Sequence, residues 1–231
     1  MATSRFGLGG HGMFLAPASP CSIFHRDDGS LLVSIPGRGA VEIVPGVEPA
    51  TDAVHQSVAD GQTTIHFGPQ GPAICCPSGL DLAEVLLKVD VGLPASPWML
   101  LGPGTWMQFP TGLTLLSGEA PYFELHLDAD PSKNTFVSFE PRDADPSEIV
   151  MTPGPGQRAD RTGIEEGPFG PIRWFQFAYE FDGLPWLQRF YLLPYGEGAT
   201  MALRAQAPAA IAEKLFELAE VVAVTFEPLD D

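Results

Sequence analysis

Residues 172–193 constrain the fold of this chain more than any other stretch. They read Ile-Arg-Trp-Phe-Gln-Phe-Ala-Tyr-Glu-Phe, then Asp182-Gly183, then Leu-Pro-Trp-Leu-Gln-Arg-Phe-Tyr-Leu-Leu. Trp174, Phe177, Tyr179 and Phe181 suit a pleated, half-buried surface, and Asp-Gly supplies the positive φ angles that a two-residue hairpin loop requires. The spacing predicts an antiparallel hairpin whose register is set locally. A third strand is expected over Ala199–Gln206, after the turn Tyr195-Gly196-Glu197-Gly198. From Pro208 the period changes. Ile211, Leu215 and Leu218 fall at i, i+4 and i+7, while Glu213, Lys214, Glu217 and Glu220 point the other way. That pattern predicts an amphipathic helix opened by Pro208 and lying on a sheet, with Val221–Phe226 as a closing strand.

Upstream, 25 Gly and 24 Pro in 231 residues imply many short elements and much loop. Residues 1–20 show no period and are expected to form a turn-rich arm. Its Gly7-Leu8-Gly9-Gly10-His11-Gly12 has neither the preceding strand nor the following helix of a phosphate-cradling loop. Ser22–His25, Leu31–Ile35, Ala40–Val44, Thr63–Phe67 and Ala73–Cys76 read as strands of a small antiparallel sheet. Leu82, Val85, Leu86 and Val89 share one side of a short helix expected over Leu80–Val89. The Pro- and Gly-rich stretch from Gly92 to Gly104 marks a boundary between a β-rich domain, 1–104, and a second domain, 105–231. The second opens with strands Trp106–Phe109, Thr111–Leu116, Tyr122–Leu127 and Thr135–Phe139. It then makes an irregular excursion over Pro141–Pro171, a length usually reserved for functional loops. The fold class expected is α+β, with antiparallel sheets and few helices.

In order and texture of elements, Trp106–Phe226 resembles the PsbP-like superfamily, which includes the Mog and DcrB-like proteins. The residues that carry the resemblance are Trp106-Met-Gln-Phe-Pro110, the aromatic hairpin Trp174–Tyr191, Leu192–Leu203, Pro208–Glu220 and Val221–Phe226. About half the chain is covered. The resemblance implies a C-terminal antiparallel sheet flanked by helices, in a family of binding proteins and secretion adaptors rather than catalysts.

Charge narrows the partners. With 29 acidic and 12 basic residues the net charge is −17, which repels nucleic acid and anionic membrane surfaces and favours a basic protein. Residues 1–106 carry nine acids and four bases, and residues 107–231 carry twenty and eight. Cys21, Cys75 and Cys76 cannot all pair, so no disulfide framework is implied. The N-terminus lacks the basic and apolar regions of a secretory leader, and no apolar run approaches the roughly 20 residues that span a bilayer. A cytoplasmic location is the expectation.

Reactive constellations are sparse. Cys75-Cys76 sits between Pro72 and Pro77 without the basic setting that activates a thiol, and buried inert thiols are common. His11, His25, His55, His66 and His126 show no paired metal-ligand spacing. Glu124, His126 and Asp128 alternate as any half-exposed strand does. Asp143-Ala-Asp145-Pro-Ser-Glu148 lacks the frame of a calcium loop, and no Gly-x-Ser-x-Gly is present. No catalytic residue, metal or cofactor is assigned. The expected activity is binding of a basic protein, as a bacterial immunity protein or secretion-effector adaptor would, through Asp143, Asp145, Glu148, Asp160, Glu165, Glu166, Phe175, Trp186 and Tyr195. The alternative is a small-molecule binder or enzyme using His66, Cys75 or His126 in a cleft between the halves.

Overall fold

The computed structural model describes residues 6–102, 104–117, 123–127 and 136–228. Two compact units divide the chain: residues 1–104 with 108–123, and residues 105–107 with 124–231. Tyr122, Asp128 and Thr135, named above, lie outside the described residues.

The first unit holds two antiparallel arrays. One contains β1 (Gly7–Gly10), β2 (Met13–Pro17), β9 (Leu86–Val91) and β10 (Met99–Gly102), in the order β10-β1-β2-β9. The other contains β3 (Cys21–His25), β4 (Leu31–Ile35), β5 (Gly39–Val44), β6 (Val54–Ala59), β7 (Gln62–Phe67), β8 (Ala73–Pro77) and β12 (Thr114–Ser117), in the order β12-β3-β4-β5-β8-β7-β6. Strands β2, β3 and β4 alternate buried and half-buried residues, so Met13, Leu15, Ile23, Leu31 and Val33 face the core. Edge strand β6 is exposed along its whole length.

In the second unit, β13 (Phe123–His126), β14 (Phe136–Arg142), β15 (Arg158–Gly167), β16 (Gly170–Phe181), β17 (Leu184–Pro194) and β18 (Thr200–Pro208) form a sheet ordered β15-β16-β17-β18-β14-β13. One helix, α1 (Ala212–Val224), packs on one face, and β11 (Thr105–Gln108) pairs with β19 (Glu227–Pro228). Register assigns the faces. Trp174 lies opposite Tyr191, Gln176 opposite Arg189, and Leu203 and Ala205 opposite Tyr191 and Arg189, all beneath α1. Phe175, Phe177, Tyr179, Trp186, Gln188 and Leu192 occupy the other face.

These observations correct the expected fold class. Among the described residues there are nineteen strands, one α-helix and one 3-10 turn, so the protein is mostly β and its C-terminal sheet is not flanked by several helices. The expected helix Leu80–Val89 is a 3-10 turn, Leu82–Glu84, followed by β9. In β9 Val89 and Val91 lie two apart on one face, whereas Leu86 and Val89, three apart and on one side of a helix, fall on opposite faces of the strand, so the helical spacing does not describe it. Of the expected strand Val221–Phe226, Val221–Val224 are instead the last turn of α1, with Thr225 its C-cap: Val222 and Ala223 extend the buried stripe of Ala212, Leu215, Phe216 and Ala219. Pro208 closes β18 rather than opening the helix. The glycine-rich arm is strand β1, with Leu8 fully buried. A Cβ on Gly7 would lie 2.3 Å from the Phe14 ring, so glycine there lets the ring lie against the backbone. The excursion Pro141–Pro171 contains β15, paired with β16 through nearly its whole length.

Candidate functional site

Four of the six acidic positions singled out in the sequence are turned to solvent without a tie to the sheet. Asp143, Asp145 and Glu148 lie exposed on the segment between β14 and β15, and Glu166 lies exposed near the end of β15. The segment is held from below. Arg173 Nη1 donates to the carbonyl oxygens of Pro146 at 2.8 Å, Ser147 at 3.1 Å and Ile149 at 3.4 Å, and Thr200 Oγ1 donates to the Ala144 carbonyl at 2.6 Å. Ile149 is buried against Leu192 and Ala202, with Met151 and Phe175 beside it. Asp145 Oδ1 accepts from the Ser147 hydroxyl and backbone N–H at 2.6 and 2.8 Å. The Ser147 hydroxyl bond and then the Ser147 amide hold the Asp145 carboxyl below its ordinary range, so this charge persists under mild acid.

The other two acids belong to a partly buried network under α1. Asp160 Oδ2 accepts from Gln176 Nε2 at 2.7 Å, and Glu165 Oε1 accepts from Trp174 Nε1 at 3.0 Å. At the centre is Arg189, only 7% exposed. It donates from Nε and Nη2 to Gln176 Oε1 at 3.0 and 2.7 Å and from Nη1 to the Tyr191 hydroxyl at 3.3 Å. Its guanidinium lies 4.4 Å from the Trp174 ring centre and 4.2 Å from that of Phe216. Tyr191 in turn donates to the Phe216 carbonyl, and burial pushes its phenol up to about 12, with Arg189 pulling the other way. Burial first, and then the charge of Glu165, raise Glu220 above the ordinary carboxylate range. Glu213 reaches Arg189 at 3.8 Å and Arg161 at 3.9 Å. Glu213 and Glu220 therefore join Asp160 and Glu165 around the arginine. The sequence placed them only on the polar side of a helix, and their spacing of seven was the available signal.

The three aromatic candidates present little surface. Trp186 is buried, 6% exposed, between Tyr179 and Phe181 with ring centres 6.3 and 5.6 Å away. Phe175 is half-buried beneath Met151 and under the Arg173 guanidinium at 5.1 Å. Tyr195 is half-buried against Phe226, ring centres 6.3 Å apart. The apolar side chains that do reach solvent in this unit include Val150, Ile164, Phe169, Phe181 and Leu184. No pattern marked these in advance, because each flanks a turn or lies on an edge.

The groups named for the alternative reading are dispersed. His66 lies opposite His55 in the β6–β7 pair, ring centres 6.4 Å apart, and Cys75 Sγ accepts from Thr64 Oγ1 at 3.8 Å. His126 Nε2 lies 3.2 Å from Glu124 Oε2, in the other unit. Burial pushes the Cys21 thiol up to about 12 and raises Cys76 as well, which keeps both protonated and poorly nucleophilic near neutral pH. Among the described residues no three His, Cys, Asp or Glu side chains are grouped to hold a metal ion. No helix among them is long and apolar enough to cross a membrane.

No protein-family model and no curated protein matches the chain. Among solved structures it is similar to LpqN of Mycobacterium tuberculosis, described as involved in cell envelope biogenesis. The identity is 16% and the TM-score 0.40, over 55% of this chain and 83% of LpqN. A likeness of that size supports no statement about function.

Proposed function

We propose that this is a non-enzymatic cytoplasmic protein whose second unit binds a basic protein partner, in the manner of an immunity protein or a secretion-effector adaptor. The observation that carries the reading is the arrangement of residues 143–166. Asp143, Asp145 and Glu148 face solvent on a segment that Arg173 and Thr200 fix to the sheet, and Glu166 faces solvent on strand β15 itself. Fixed carboxylates cost a partner little ordering on their side of the interface, and complementary charge speeds encounter and selects the partner. Aromatic anchoring through Trp186, Phe175 and Tyr195 is not part of the proposal, because those rings are spent on packing.

The test is capture of partners from native extract by the tagged full chain, at low and at high salt. A stoichiometric basic protein retained at low salt, and lost with the triple variant D143K/E148K/E166K, supports the reading. Retention unchanged by that variant removes it. The variant positions are exposed, so far-ultraviolet circular dichroism should match that of the parent chain.

A further inference from the structure

We infer that the free edge of β15 pairs antiparallel with β15 of a second copy of this chain, about a two-fold axis at Gly163. Among the described residues β15 ends the sheet order, and its residues are exposed or half-buried throughout. Such an edge is a template for another strand unless something blunts it. The bulge between Ala159 and Arg161 interrupts the N-terminal end, leaving residues 161–167 as the regular, pairable part.

The register follows from backbone chemistry and charge. Gly167 pairs with Gly170 across the two-residue loop Pro168-Phe169, and with so short a loop this must be a hydrogen-bonded pair. Alternation then points the N–H and C=O groups of Gly163 and Glu165 at β16, and those of Thr162, Ile164 and Glu166 away from it. A second β15 related by a two-fold at Gly163 places Thr162 opposite Ile164 as hydrogen-bonded pairs, twice. It places Arg161 opposite Glu165 as non-hydrogen-bonded pairs, also twice, where side chains approach most closely. The 65% exposed Ile164 is then covered by the neighbouring Thr162. At the axis, Gly163 brings no side chain: the Trp174 ring already fills the space above it, 2.4 Å from where a Cβ would stand. A two-fold at Thr162 runs into the bulge, and one at Ile164 sets Arg161 against Gly167 and Glu165 against Gly163, with no opposite charges facing. The strand is thus self-complementary in one register. The net charge of −17 on each copy opposes association, so the contact is concentration-dependent.

This inference stands apart from the basic-partner reading and is tested on the purified full chain alone, by sedimentation equilibrium over a concentration series. The parent chain is expected to dimerise. R161E and E165R are each expected to weaken self-association by about tenfold or more, since each replaces two attractive pairs by two repulsive ones. The double exchange R161E/E165R is expected to restore it. Ile164→Pro removes an outward N–H that β16 does not use, a change edge strands tolerate, and is expected to give a folded monomer. A parent chain that stays monomeric at every concentration overturns the proposal, including the case where β15 serves an extended segment of another protein instead. So does a dimer indifferent to either single exchange or to Ile164→Pro, or a double exchange that fails to restore it.

Discussion

Arg189 is a full charge held almost out of water, and every part of its surroundings answers that cost. Burying an unpaired guanidinium is prohibitive, and here Gln176 accepts two of its N–H bonds, Tyr191 a third, and two aromatic faces take the flat sides. Gln176 then passes polarity outward by donating to Asp160, and Glu213 supplies a carboxylate at 3.8 Å. Truncation therefore strands polar atoms on Gln176 and Tyr191 as well as opening a cavity. Arg189→Ala is expected to lower stability by about 3 kcal/mol in urea unfolding. Arg189→Lys should recover less than half of that, because a point charge cannot serve two acceptors and two ring faces at once. Arg189→Met, which fills the space without charge, should lie closer to the parent than alanine does. A loss below about 1 kcal/mol for alanine would mean that the network is ornamental.

At the scale of elements, the sheet around Arg189 depends on one close approach. Gly163 of β15 sits against the Trp174 indole, and a Cβ there would stand 2.4 to 2.7 Å from three ring atoms. Gly163→Ala must displace Trp174, and with it the upper face of the guanidinium site, at a cost of about 1–3 kcal/mol. A changed tryptophan emission maximum in the folded variant is the accompanying sign; an unaltered spectrum with unaltered stability would contradict the packing argument. This element also shows what a sequence reveals. The β16–β17 hairpin was legible because its information is local: aromatic strands around Asp182-Gly183, both with positive φ. The helix was legible from its stripe, but its end was not, since Val221-Val-Ala-Val has the composition of a strand and only the buried sheet beneath favours continued helix. Strand β15 was missed because an exposed edge carries no apolar period. The acidic positions were visible, whereas their partners Gln176, Trp174 and Arg189 come from other strands and follow only from register. Burial of Trp186 was likewise settled by Tyr179 and Phe181, its neighbours on the same face.

For the whole molecule, the excess of acid suggests that lowering the pH should help by relieving repulsion, but the first groups to titrate on leaving neutrality are histidines. Two of them, in the first unit, are held away from the charged form. His25 is buried, its Nδ1 lies 2.8 Å from the Phe109 carbonyl oxygen and its ring centre 5.2 Å from that of Phe109. His11 packs edge-on to Trp98, ring centres 5.1 Å apart. Burial is the main cause lowering both from the ordinary value near 6.5; for His25 the Phe109 and Pro110 carbonyls and Asp28 resist, and His11 adds to the lowering. At these two imidazoles the folded chain thus binds fewer protons than the unfolded chain below about pH 6.5, whereas Glu220, raised by burial, binds more and works the other way at the acid end of the window. The imidazoles' contribution is complete above that value and is lost as pH falls from it towards the lower folded values. Asp28 and Asp145 titrate below the ordinary carboxylate range, each held down by serine hydrogen bonds, so they add nothing to the loss in this window. The urea midpoint should therefore fall between about pH 7 and 5.5 despite the relief of negative charge, and do so reversibly. His25→Asn, whose amide can still donate to the Phe109 carbonyl, should flatten that slope while leaving the midpoint near neutrality only modestly lower. A midpoint that rises on acidification in the parent chain would show that charge repulsion outweighs the two imidazoles.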